Sequence, residues 1–450
     1  MQTEMKIRMM SGGSKDEVLS PHFETTPYWW RAAAPQDTSS QPLPEIAEVV
    51  IVGSGYTGLC CALELADAGV RPLVLEAGPL GAGASTRSGA MVTGGQKFVV
   101  SGAIRRFDAK RQARILEDAG ESLQLVGERV DRYALDADYR RYGRVILADV
   151  PRHMTRLARW AELLHRHAGS TVSLMNRAEL SNEVGGRRYH GGLLIEDYGG
   201  LHPAKYHRAL ADAARARGAI LASHTTVADI TREAVGFRVR TSRGEIAARE
   251  VVIGTNGYSG SAVPYLRKRV VPIAAYVAAT EALPLGMAEE MIPHHRMLSD
   301  TQRSLYWMRL SPDGTRLIFG ARPSIFDKDA RTAGRLLHRM MCGVWPHLAK
   351  VRVEHCWNGF VAMTADHIPH MGRHDGIHYA VGCNGSGVAM MSYLGYQTAR
   401  KLLGNQNRPC AFDSDSFPAP PFYDGWPWFI PLVSGWYHFR DGFDRAIASL

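Results

Sequence analysis

A glycine-rich turn between a short apolar strand and a helix is the feature that most constrains the fold. Residues 48–52 read EVVIV, which is typical of a buried strand, and Gly53 begins the turn. Residues 56–68 have the apolar spacing of a helix, Gly69 ends it, and residues 72–75 begin a second strand. The segment is a complete βαβ unit, so it predicts a parallel sheet with a right-handed crossover.

The turn itself reads GSGYTG and predicts a site for a pyrophosphate. Gly53 allows the tight turn, Gly55 lets the backbone approach the ligand, and Gly58 lets the helix pack closely on the strand. The N–H groups at the helix N-terminus favour an anion there. Glu76 ends the second strand, and its carboxylate can accept hydrogen bonds from both ribose hydroxyls but would repel a 2′-phosphate. The unit therefore predicts that an adenine dinucleotide other than NADP binds here. The alternative is a βαβ unit in which the glycine spacing arose by chance.

The loop that follows Glu76 favours FAD over NAD. Residues 77–90 read AGPLGAGASTRSGA, a long run of small residues that an NAD site does not need. Such a loop makes sense where a flat ring system lies against the backbone. The sequence therefore predicts FAD as the cofactor.

The run EAGPLGAGASTRSGA resembles the corresponding loop of the FAD-dependent D-amino-acid-oxidase-like superfamily, which includes glycine oxidase, sarcosine oxidase and γ-glutamylputrescine oxidase. Further motifs follow in the family's order: GLHP at 200–203, TNGY at 255–258, a stretch from WNG to PHMG at 357–372, and GCNGSGV at 382–388. The resemblance covers residues 25–440. The YWW-type N-terminus and the GYTG and TNGY turns bring it nearest to the γ-glutamylputrescine-oxidase-like branch.

The resemblance implies an α/β fold. We expect a Rossmann-like FAD-binding domain of the glutathione-reductase type, interleaved with an α+β substrate domain that has a mixed, largely antiparallel sheet. A predicted hairpin turn at 311–314 agrees with the antiparallel part. The expected segments are a leader and anchoring segment at 1–44, the discontinuous FAD-binding domain at 45–105, 196–265 and 355–405, the discontinuous substrate domain at 106–195 and 266–354, and a Trp-rich C-terminal tail at 406–450.

The resemblance also implies which residues bind FAD. Ser85, Thr86 and Arg87 would lie near the pyrophosphate, residues 88–91 would line the flavin, and the backbone of Val227 would meet the adenine. The helix that is predicted to begin at Gly387 follows a glycine turn. Its N-terminus would stabilise the negative charge on the reduced flavin ring. The full expected set is Gly53, Gly55, Tyr56, Thr57, Gly58, Glu76, Ala77, Ser85, Thr86, Arg87, Ser88, Ala90, Met91, Val227, Thr255, Asn256, Gly385, Gly387 and Val388.

The implied reaction is oxidation of a C–N bond in an amine or amino-acid-derived substrate, by hydride transfer to flavin N5, to an imine that hydrolyses. Because this transfer needs a neutral amine rather than an obligatory base, no general base is assigned. The candidates for the substrate pocket are Met91, Tyr306 and Arg309, of which Arg309 could meet a remote carboxylate. Molecular oxygen or another electron acceptor completes the cycle, and an oxidase is preferred. The alternatives are a flavin amine dehydrogenase that passes electrons to a protein or a quinone, and a non-catalytic flavoprotein subunit.

Departures from the family pattern bear on the substrate and on cofactor attachment. Many relatives have Asn, Gly and Gln where this chain has Ser88, Ala90 and Met91, which suggests a less polar pocket. The arginine that holds an α-carboxylate in glycine and D-amino-acid oxidases falls on Val361, so we expect an amine without a carboxylate or with a remote one. The cysteine that attaches FAD in sarcosine oxidases falls on Gly359, so we expect FAD to bind non-covalently.

Composition excludes several classes of function. The net charge of +9 is spread over 450 residues without an aromatic-rich basic stretch, so we expect no nucleic acid partner. Six cysteines without CxxC spacing indicate buried thiols, and the histidines near the end lack a carboxylate cluster, so we expect no metal. The first 20 residues lack the apolar core of a secretory signal, and no uncharged apolar run is long enough to span a bilayer. We therefore expect a cytoplasmic protein without a transmembrane segment.

Aromatic residues are concentrated near both ends. Residues 28–30 read YWW and are expected to be anchored to the body of the protein. Three tryptophans lie within 426–436, where Pro427 and Pro431 are expected to prevent a long helix. We expect this tail to lie over the body; the alternative is an exposed patch that contacts a partner or a second subunit.

Overall fold

The computed structural model describes residues 17–40, 42–414 and 416–448. In chain order its strands are β1 (Leu19–Glu24), β2 (Ile46–Val52), β3 (Leu73–Leu75), β4 (Met91–Val92), β5 (Arg144–Leu147), β6 (Val172–Met175), β7 (Gly192–Ile195), β8 (Gly199–Gly200), β9 (Ile220–Ala222), β10 (Val227–Arg232), β11 (Phe237–Thr241), β12 (Gly244–Ile253), β13 (Val271–Thr280), β14 (Met297–Asp300), β15 (Trp307–Leu310), β16 (Leu317–Ala321), β17 (Val353–Met363), β18 (His370–His374) and β19 (Ile377–Val381).

The α-helices are α1 (Tyr56–Asp67), α2 (Gln96–Val100), α3 (Ala109–Arg132), α4 (His153–Ala168), α5 (Arg177–Leu180), α6 (Pro203–Ala216), α7 (Pro264–Arg267), α8 (Met287–Met291), α9 (Ala330–Val344), α10 (Gly387–Leu402) and α11 (Ile430–Ala448). Short 3₁₀ turns span Tyr28–Arg31, Ala84–Thr86, Ala103–Arg106, Asn256–Tyr258 and Pro346–Lys350.

The first sheet has eight strands in the order β10-β11-β12-β2-β3-β9, with the β18–β19 hairpin attached through β19 to β12. The central strand β2 runs parallel to both neighbours, with Val50 opposite Leu73 of β3 and Val251 of β12. Val50 and Ile51 are fully buried, as the apolar run predicts. The predicted βαβ unit, β2-α1-β3, is confirmed, and α1 packs against α10.

The second sheet has nine strands in the order β1-β17-β13-β16-β15-β14-β5-β7-β6. The pairs β1–β17 and β14–β5 are parallel, and the other neighbouring pairs are antiparallel. This is the mixed, largely antiparallel sheet that was expected. The turn at 311–314 joins β15 to β16 as predicted, and α9 covers the part of the sheet formed by β13 and β17.

Two segments pack differently from the expected domain division. Residues 355–363, expected in the FAD-binding domain, belong to β17, because their pairing with β13 continues without a break from Cys356 to Met363. The helix α3, expected in the substrate domain, packs against α10, and its Ile115 and Leu116 share a buried apolar cluster with β2. The amphipathic spacing of α3 shows that one face is buried, but it does not show which sheet that face covers. The rest of the two-domain division stays a prediction.

The two ends of the chain differ in how they meet the body. Trp29 is fully buried, so the anchoring of the N-terminal aromatic segment is confirmed; residues 1–16 of the expected leader lie outside the described residues.

The expectation that prolines prevent a long helix in the tail is wrong. Pro431 is the second residue of the 19-residue α11, and a proline in the first turn of a helix costs no intrahelical hydrogen bond. No helix in the described part of the chain is both long and apolar enough to cross a membrane.

Candidate active site

One cavity of about 890 Å³ connects the two sheets. At one end it begins at the carboxyl ends of β2, β3 and β12, which is where ligands bind in parallel α/β sheets. At the other end it is bounded by the nine-stranded sheet. Ile273, Ala275 and Val277 of β13 line this wall, because alternate residues of a strand share one face.

The glycine turn between β2 and α1 forms the first end of the cavity. Gly53 has a φ of +101°, a left-handed conformation that favours glycine. A Cβ atom on Gly58 would lie 1.9 Å from the carbonyl oxygen of Gly53, so no larger residue fits there. Gly58 therefore packs beneath the turn, whereas Gly55, Tyr56 and Thr57 line the cavity at the N-terminus of α1. A helix N-terminus in this position suits a pyrophosphate.

Glu76 lies beside this turn and also lines the cavity. Its Oε2 accepts hydrogen bonds from the backbone nitrogen of Ser54 at 2.9 Å and from the Ser54 hydroxyl at 2.8 Å. Its Oε1 accepts only a long contact of 3.4 Å from the backbone nitrogen of Gly78. The carboxylate is thus oriented through one oxygen, and the other can accept from ribose hydroxyls. Val227 lines the same end, where the adenine was expected.

Three indoles hold the small-residue loop over the middle of the cavity. Trp29 Nε1 donates to the carbonyl oxygen of Ser88 at 3.0 Å, and Trp357 Nε1 donates to that of Arg87 at 2.8 Å. Trp30 Nε1 donates to the hydroxyl of Thr86 at 2.9 Å. That hydroxyl in turn donates to the carbonyl of Gly81, so the buried Thr86 side chain is turned away and does not line the cavity.

The N-terminus of α10 forms the opposite side. Gly385, Gly387 and Val388 line the cavity there. The preceding turn is fixed by Asn256, whose Oδ1 accepts hydrogen bonds from the backbone nitrogens of Gly382 at 2.9 Å and Cys383 at 3.3 Å. This gives the TNGY motif a structural role, since its asparagine orients the turn at the start of α10. Of the residues expected to bind FAD, all except Gly58 and Thr86 line this one cavity.

The end of the cavity where the substrate is expected is lined by apolar side chains and by two cationic ones. Its lining includes Met91, Trp307, Val361 and Met363. Val361 stands at the position that the resemblance assigns to the carboxylate-binding arginine, so this wall has no cation there. Lys97 from α2 and Arg144 from β5 also line it. Burial lowers the pKa of Lys97, and the nearby Arg144 lowers it further. Burial lowers the pKa of Arg144 to about 10.

The balance of charge around the cavity is one-sided. Of the described residues that line it, Glu76 carries the only carboxylate, and Glu76 lies at the end formed by the glycine turn. Arg87, Lys97, Arg144, Arg303 and Arg322 contribute cations. Arg303 pairs with Asp441 and Asp444, and Arg322 lies 4.0 Å from Asp327. Burial lowers the pKa of Lys97 and of Arg144, so an anionic ligand beside these two would stabilise their charged forms.

Two of the expected substrate residues do not reach the cavity. Arg309 is fully buried; its Nη1 donates to the carbonyl oxygens of Gly89, Ala90 and Leu201, the last at 2.9 Å. It therefore ties the small-residue loop to β15 and cannot meet a substrate carboxylate. Tyr306 lies outside the lining and packs against Phe319. Only Met91 of the three candidates lines the cavity.

Lys97 and Arg144 were missed by the sequence reasoning. Arg144 begins a strand whose other residues, 145–147, are apolar. A charged residue at the start of such a buried strand is the sequence signal that could have pointed to Arg144 as a functional residue. Lys97 lies in a short helix of five residues that has no periodic pattern. Its place in the cavity results from the tertiary packing of α2 and has no local signal.

Two of the histidines, His202 and His370, have structural partners. His202 accepts a hydrogen bond from the backbone nitrogen of Lys205 and caps α6. His370 Nε2 lies 3.0 Å from both carboxylate oxygens of Asp366. Within the ranges that the structure describes, no group of three or more metal-ligating side chains occurs.

The residues present fit FAD. A helix N-terminus suits the pyrophosphate, an oriented carboxylate suits the adenosine ribose, and a loop of small residues leaves room for a flat ring. The second helix N-terminus, that of α10, provides a positive partial charge on the far side.

Comparison with known proteins agrees with this geometry. A family model described as FAD dependent oxidoreductase (DAO) matches residues 48–401. The gamma-glutamylputrescine oxidoreductase of Escherichia coli is 31% identical over 416 residues, which cover 91% of this chain and 95% of the relative.

Solved structures share the fold. The crystal structure of a glycine oxidase from Geobacillus kaustophilus superposes with a TM-score of 0.69 at 23% identity, covering 84% of this chain and 99% of that one. An L-proline dehydrogenase from P. horikoshii superposes with a TM-score of 0.68 at 20% identity, covering 82% and 96%.

Proposed function

Because the chain belongs to the family of FAD-dependent oxidoreductases, we propose that it oxidises a C–N bond of an amine or amino-acid-derived substrate. The product is an imine, which water hydrolyses to a carbonyl compound and an amine. FAD, when bound, takes up the hydride that leaves the substrate carbon. The protein binds and orients both molecules, and no side chain is assigned as a general base.

The single observation that supports this proposal is the continuity of the cavity. The dinucleotide cradle at Gly53 and Glu76 opens without interruption into an apolar chamber bounded by Met91 and Val361. An apolar wall suits the neutral form of an amine, which is the form that donates a hydride. It also excludes water from the reacting carbon.

We further propose that the substrate carries a carboxylate remote from the reacting nitrogen. The wall at Val361 offers no cation for an α-carboxylate, and an unpaired carboxylate there would lose about 1–3 kcal/mol of hydration. Lys97 and Arg144 provide a cationic pair elsewhere in the same cavity. A γ-glutamyl amide of a diamine has this form, and a curated relative is named for such a compound.

The test compares substrates that differ in where a carboxylate lies. Purified enzyme is mixed anaerobically with γ-glutamylputrescine, putrescine, glycine and D-alanine, and flavin bleaching is followed. We expect the highest kcat/KM for the γ-glutamyl amide. A higher kcat/KM for glycine or D-alanine would contradict the proposal. The absence of bleaching with any amine would support a non-catalytic flavoprotein instead.

The variant Lys97→Met tests the cationic pair. Loss of one charged hydrogen bond costs about 1.5–3 kcal/mol, so we expect KM for γ-glutamylputrescine to rise roughly tenfold to hundredfold. The KM for putrescine should change little. Lys268→Met, which removes an exposed charge outside the cavity, is the matched control.

We propose molecular oxygen as the electron acceptor, with peroxide as the product. The presence of glycine oxidases among the relatives supports this choice. Air is readmitted to the bleached enzyme, and both flavin colour and peroxide are measured. Slow recovery without peroxide, together with fast recovery on adding a quinone, would favour a dehydrogenase.

A further inference from the structure

The C-terminal helix α11 has a reversed distribution of polar and apolar residues. Three of its four buried residues are polar, namely Ser434, Asp441 and Asp444, and the fourth is Ile430 at its first position. Asp441 Oδ1 accepts hydrogen bonds from the backbone nitrogen of Arg303 at 3.0 Å and from its guanidinium at 3.2 Å. Asp441 Oδ2 accepts from the backbone nitrogen of Ser304 at 2.9 Å and from its hydroxyl at 2.7 Å.

Asp444 adds to this attachment. Its carboxylate lies 2.9 Å from the guanidinium of Arg303 and also pairs with Arg152. Ile430 packs against Val271 and Tyr423 at the start of the helix, and beyond it the helix is held on the body mainly by charged hydrogen bonds. A surface helix is usually arranged the other way round.

The outward face of α11 is apolar. Its residues repeat at helical spacing and are each between 43% and 70% exposed. We call this set the tail stripe; it comprises Leu432, Trp436, Phe439, Phe443 and Ile447. Within it the rings of Trp436 and Phe439 lie 5.9 Å apart, and those of Phe439 and Phe443 lie 6.3 Å apart. The segment before the helix adds Phe422, Trp426 and Trp428, each at least half exposed.

We propose that the tail stripe binds the surface of an anionic lipid bilayer. A helix that lies in a membrane interface carries Trp, Phe and Leu on one face and cations beside it. Arg440 lies 5.6 Å from the ring of Trp436. Arg445, near the end of the helix, is partly exposed, but its guanidinium donates to Gln302 and lies 3.7 Å from Asp149 on the body. The helix is about 28 Å long at 1.5 Å per residue, so the stripe offers an extended contact.

Charge favours a bilayer over a protein partner as the occupant. Both carboxylates of α11 are buried and paired with arginines, so the helix presents no acidic group to the outside. The protein carries a net charge of +9, which attracts it to anionic lipid headgroups. A second copy of the chain would carry the same positive charge.

The helix α11 also borders the cavity. Ile430, Val433, Ser434, Tyr437 and His438 of the same helix line the cavity wall. A docked α11 would therefore have its apolar stripe against lipid and its other side against the cavity. This inference does not depend on the reaction that the enzyme performs.

Vesicle sedimentation tests the proposal. FAD-loaded enzyme is mixed with vesicles of equal parts phosphatidylglycerol and phosphatidylcholine, and with vesicles of phosphatidylcholine alone. We expect the enzyme to sediment with the anionic vesicles and binding to weaken as salt is raised. Phe439→Glu and Phe443→Glu should each weaken binding by about tenfold or more. Leu285→Glu, at a fully exposed apolar residue outside the tail, should bind as the unaltered enzyme does.

Two further measurements keep the outcome unambiguous. Flavin content and the thermal midpoint should be unchanged in the tail variants, since the altered side chains are exposed. Absence of sedimentation with anionic vesicles, or equal sedimentation of all variants, would overturn the proposal. So would light scattering that shows a dimer which Phe439→Glu dissociates, without vesicle binding, because the occupant would then be a second copy.

Discussion

The indole nitrogen of Trp29 donates a hydrogen bond to the carbonyl oxygen of Ser88, 3.0 Å away and 59 positions along the chain. Trp357 makes the same contact with the neighbouring carbonyl of Arg87 across 270 positions. Two segments far apart in sequence therefore fix adjacent peptide groups of the small-residue loop. With these carbonyls bonded to indoles, the geometry of the loop is set before a ligand enters.

Trp29→Phe tests this role. The change keeps an aromatic ring in a fully buried site but removes the donor to Ser88. We expect the free energy of unfolding to fall by about 1–3 kcal/mol and bound FAD to dissociate faster on dilution. Urea unfolding and the fluorescence of released FAD measure the two effects. Trp436→Phe, at a largely exposed indole, is the control; unchanged values for Trp29→Phe would mean that the indole does not fix the loop.

Glu76→Arg should abolish retention of FAD. An acceptor for the ribose hydroxyls is replaced by a cation that cannot accept, and loss of about 3 kcal/mol corresponds to roughly a hundredfold in the dissociation constant. Glu76→Gln should have a smaller effect, since an amide oxygen still accepts. The ratio of flavin to protein absorbance after gel filtration measures retention.

The Glu76 experiment needs a matched control because Glu76 also holds Ser54. Glu48→Arg makes the same change at an exposed position on β2 and should retain FAD. A purified Glu76→Arg variant with a full flavin spectrum would contradict the assignment of Glu76 to the ribose.

FAD should be released by acid precipitation, because we predict that it is held without a covalent bond. Cys356 is fully buried in the core of the nine-stranded sheet, and burial raises the pKa of its thiol. Gly359, which lines the cavity, has no side chain to attach. The supernatant should be yellow. A yellow pellet would contradict the prediction. If the pellet of the Cys383→Ser variant were then colourless, Cys383, which lines the cavity, would be the attachment point.

The stability of the protein should decrease as the pH falls below about 6.5, in part through His207. Burial lowers the pKa of His207 to about 4, while its Nε2 lies 2.7 Å from the carbonyl of Ser54. An unfolded histidine has a pKa of about 6.5. Between these values the unfolded chain binds a proton that the folded protein does not, so stability is lost as pH falls, by up to about 1.4 kcal/mol per pH unit.

His207→Gln removes this contribution to the pH dependence. The difference in unfolding free energy between the unaltered protein and the variant should therefore shrink from pH 7 to pH 5. Urea unfolding at several pH values measures it, and His224→Gln, at an exposed histidine, is the control. A constant difference across this range would show that His207 takes up a proton equally in both states.

Local signals predicted residues that line one end of the cavity. The turn from Gly53 to Gly58 and the acidic strand end at Glu76 belong to one βαβ unit, so a local sequence pattern indicates what they can bind. The substrate end was harder because its parts are brought together only by tertiary packing. Arg309 was expected in the pocket, but its guanidinium donates to backbone carbonyls, whereas Lys97 reaches the cavity from a short helix without a pattern.

The tail illustrates a different difficulty. From the sequence, Pro431 is expected to prevent a long helix, but at the second position it leaves every intrahelical hydrogen bond intact. The regular spacing from Leu432 to Ile447 indicates an amphipathic helix but not which face is buried. Arg303, which pairs with the buried aspartates, is more than a hundred residues away in sequence.

The contacts of Trp29 and Trp357 with one loop also determine when that loop can become ordered during synthesis. The strand β1 has no partner until β17 is made, and the carbonyl of Arg87 has no indole donor until residue 357 has left the ribosome. Contacts between such distant segments form slowly, because a long loop must close first. The cofactor site is thus a late product of folding, and chains that stop before β17 should emerge without the ability to hold FAD.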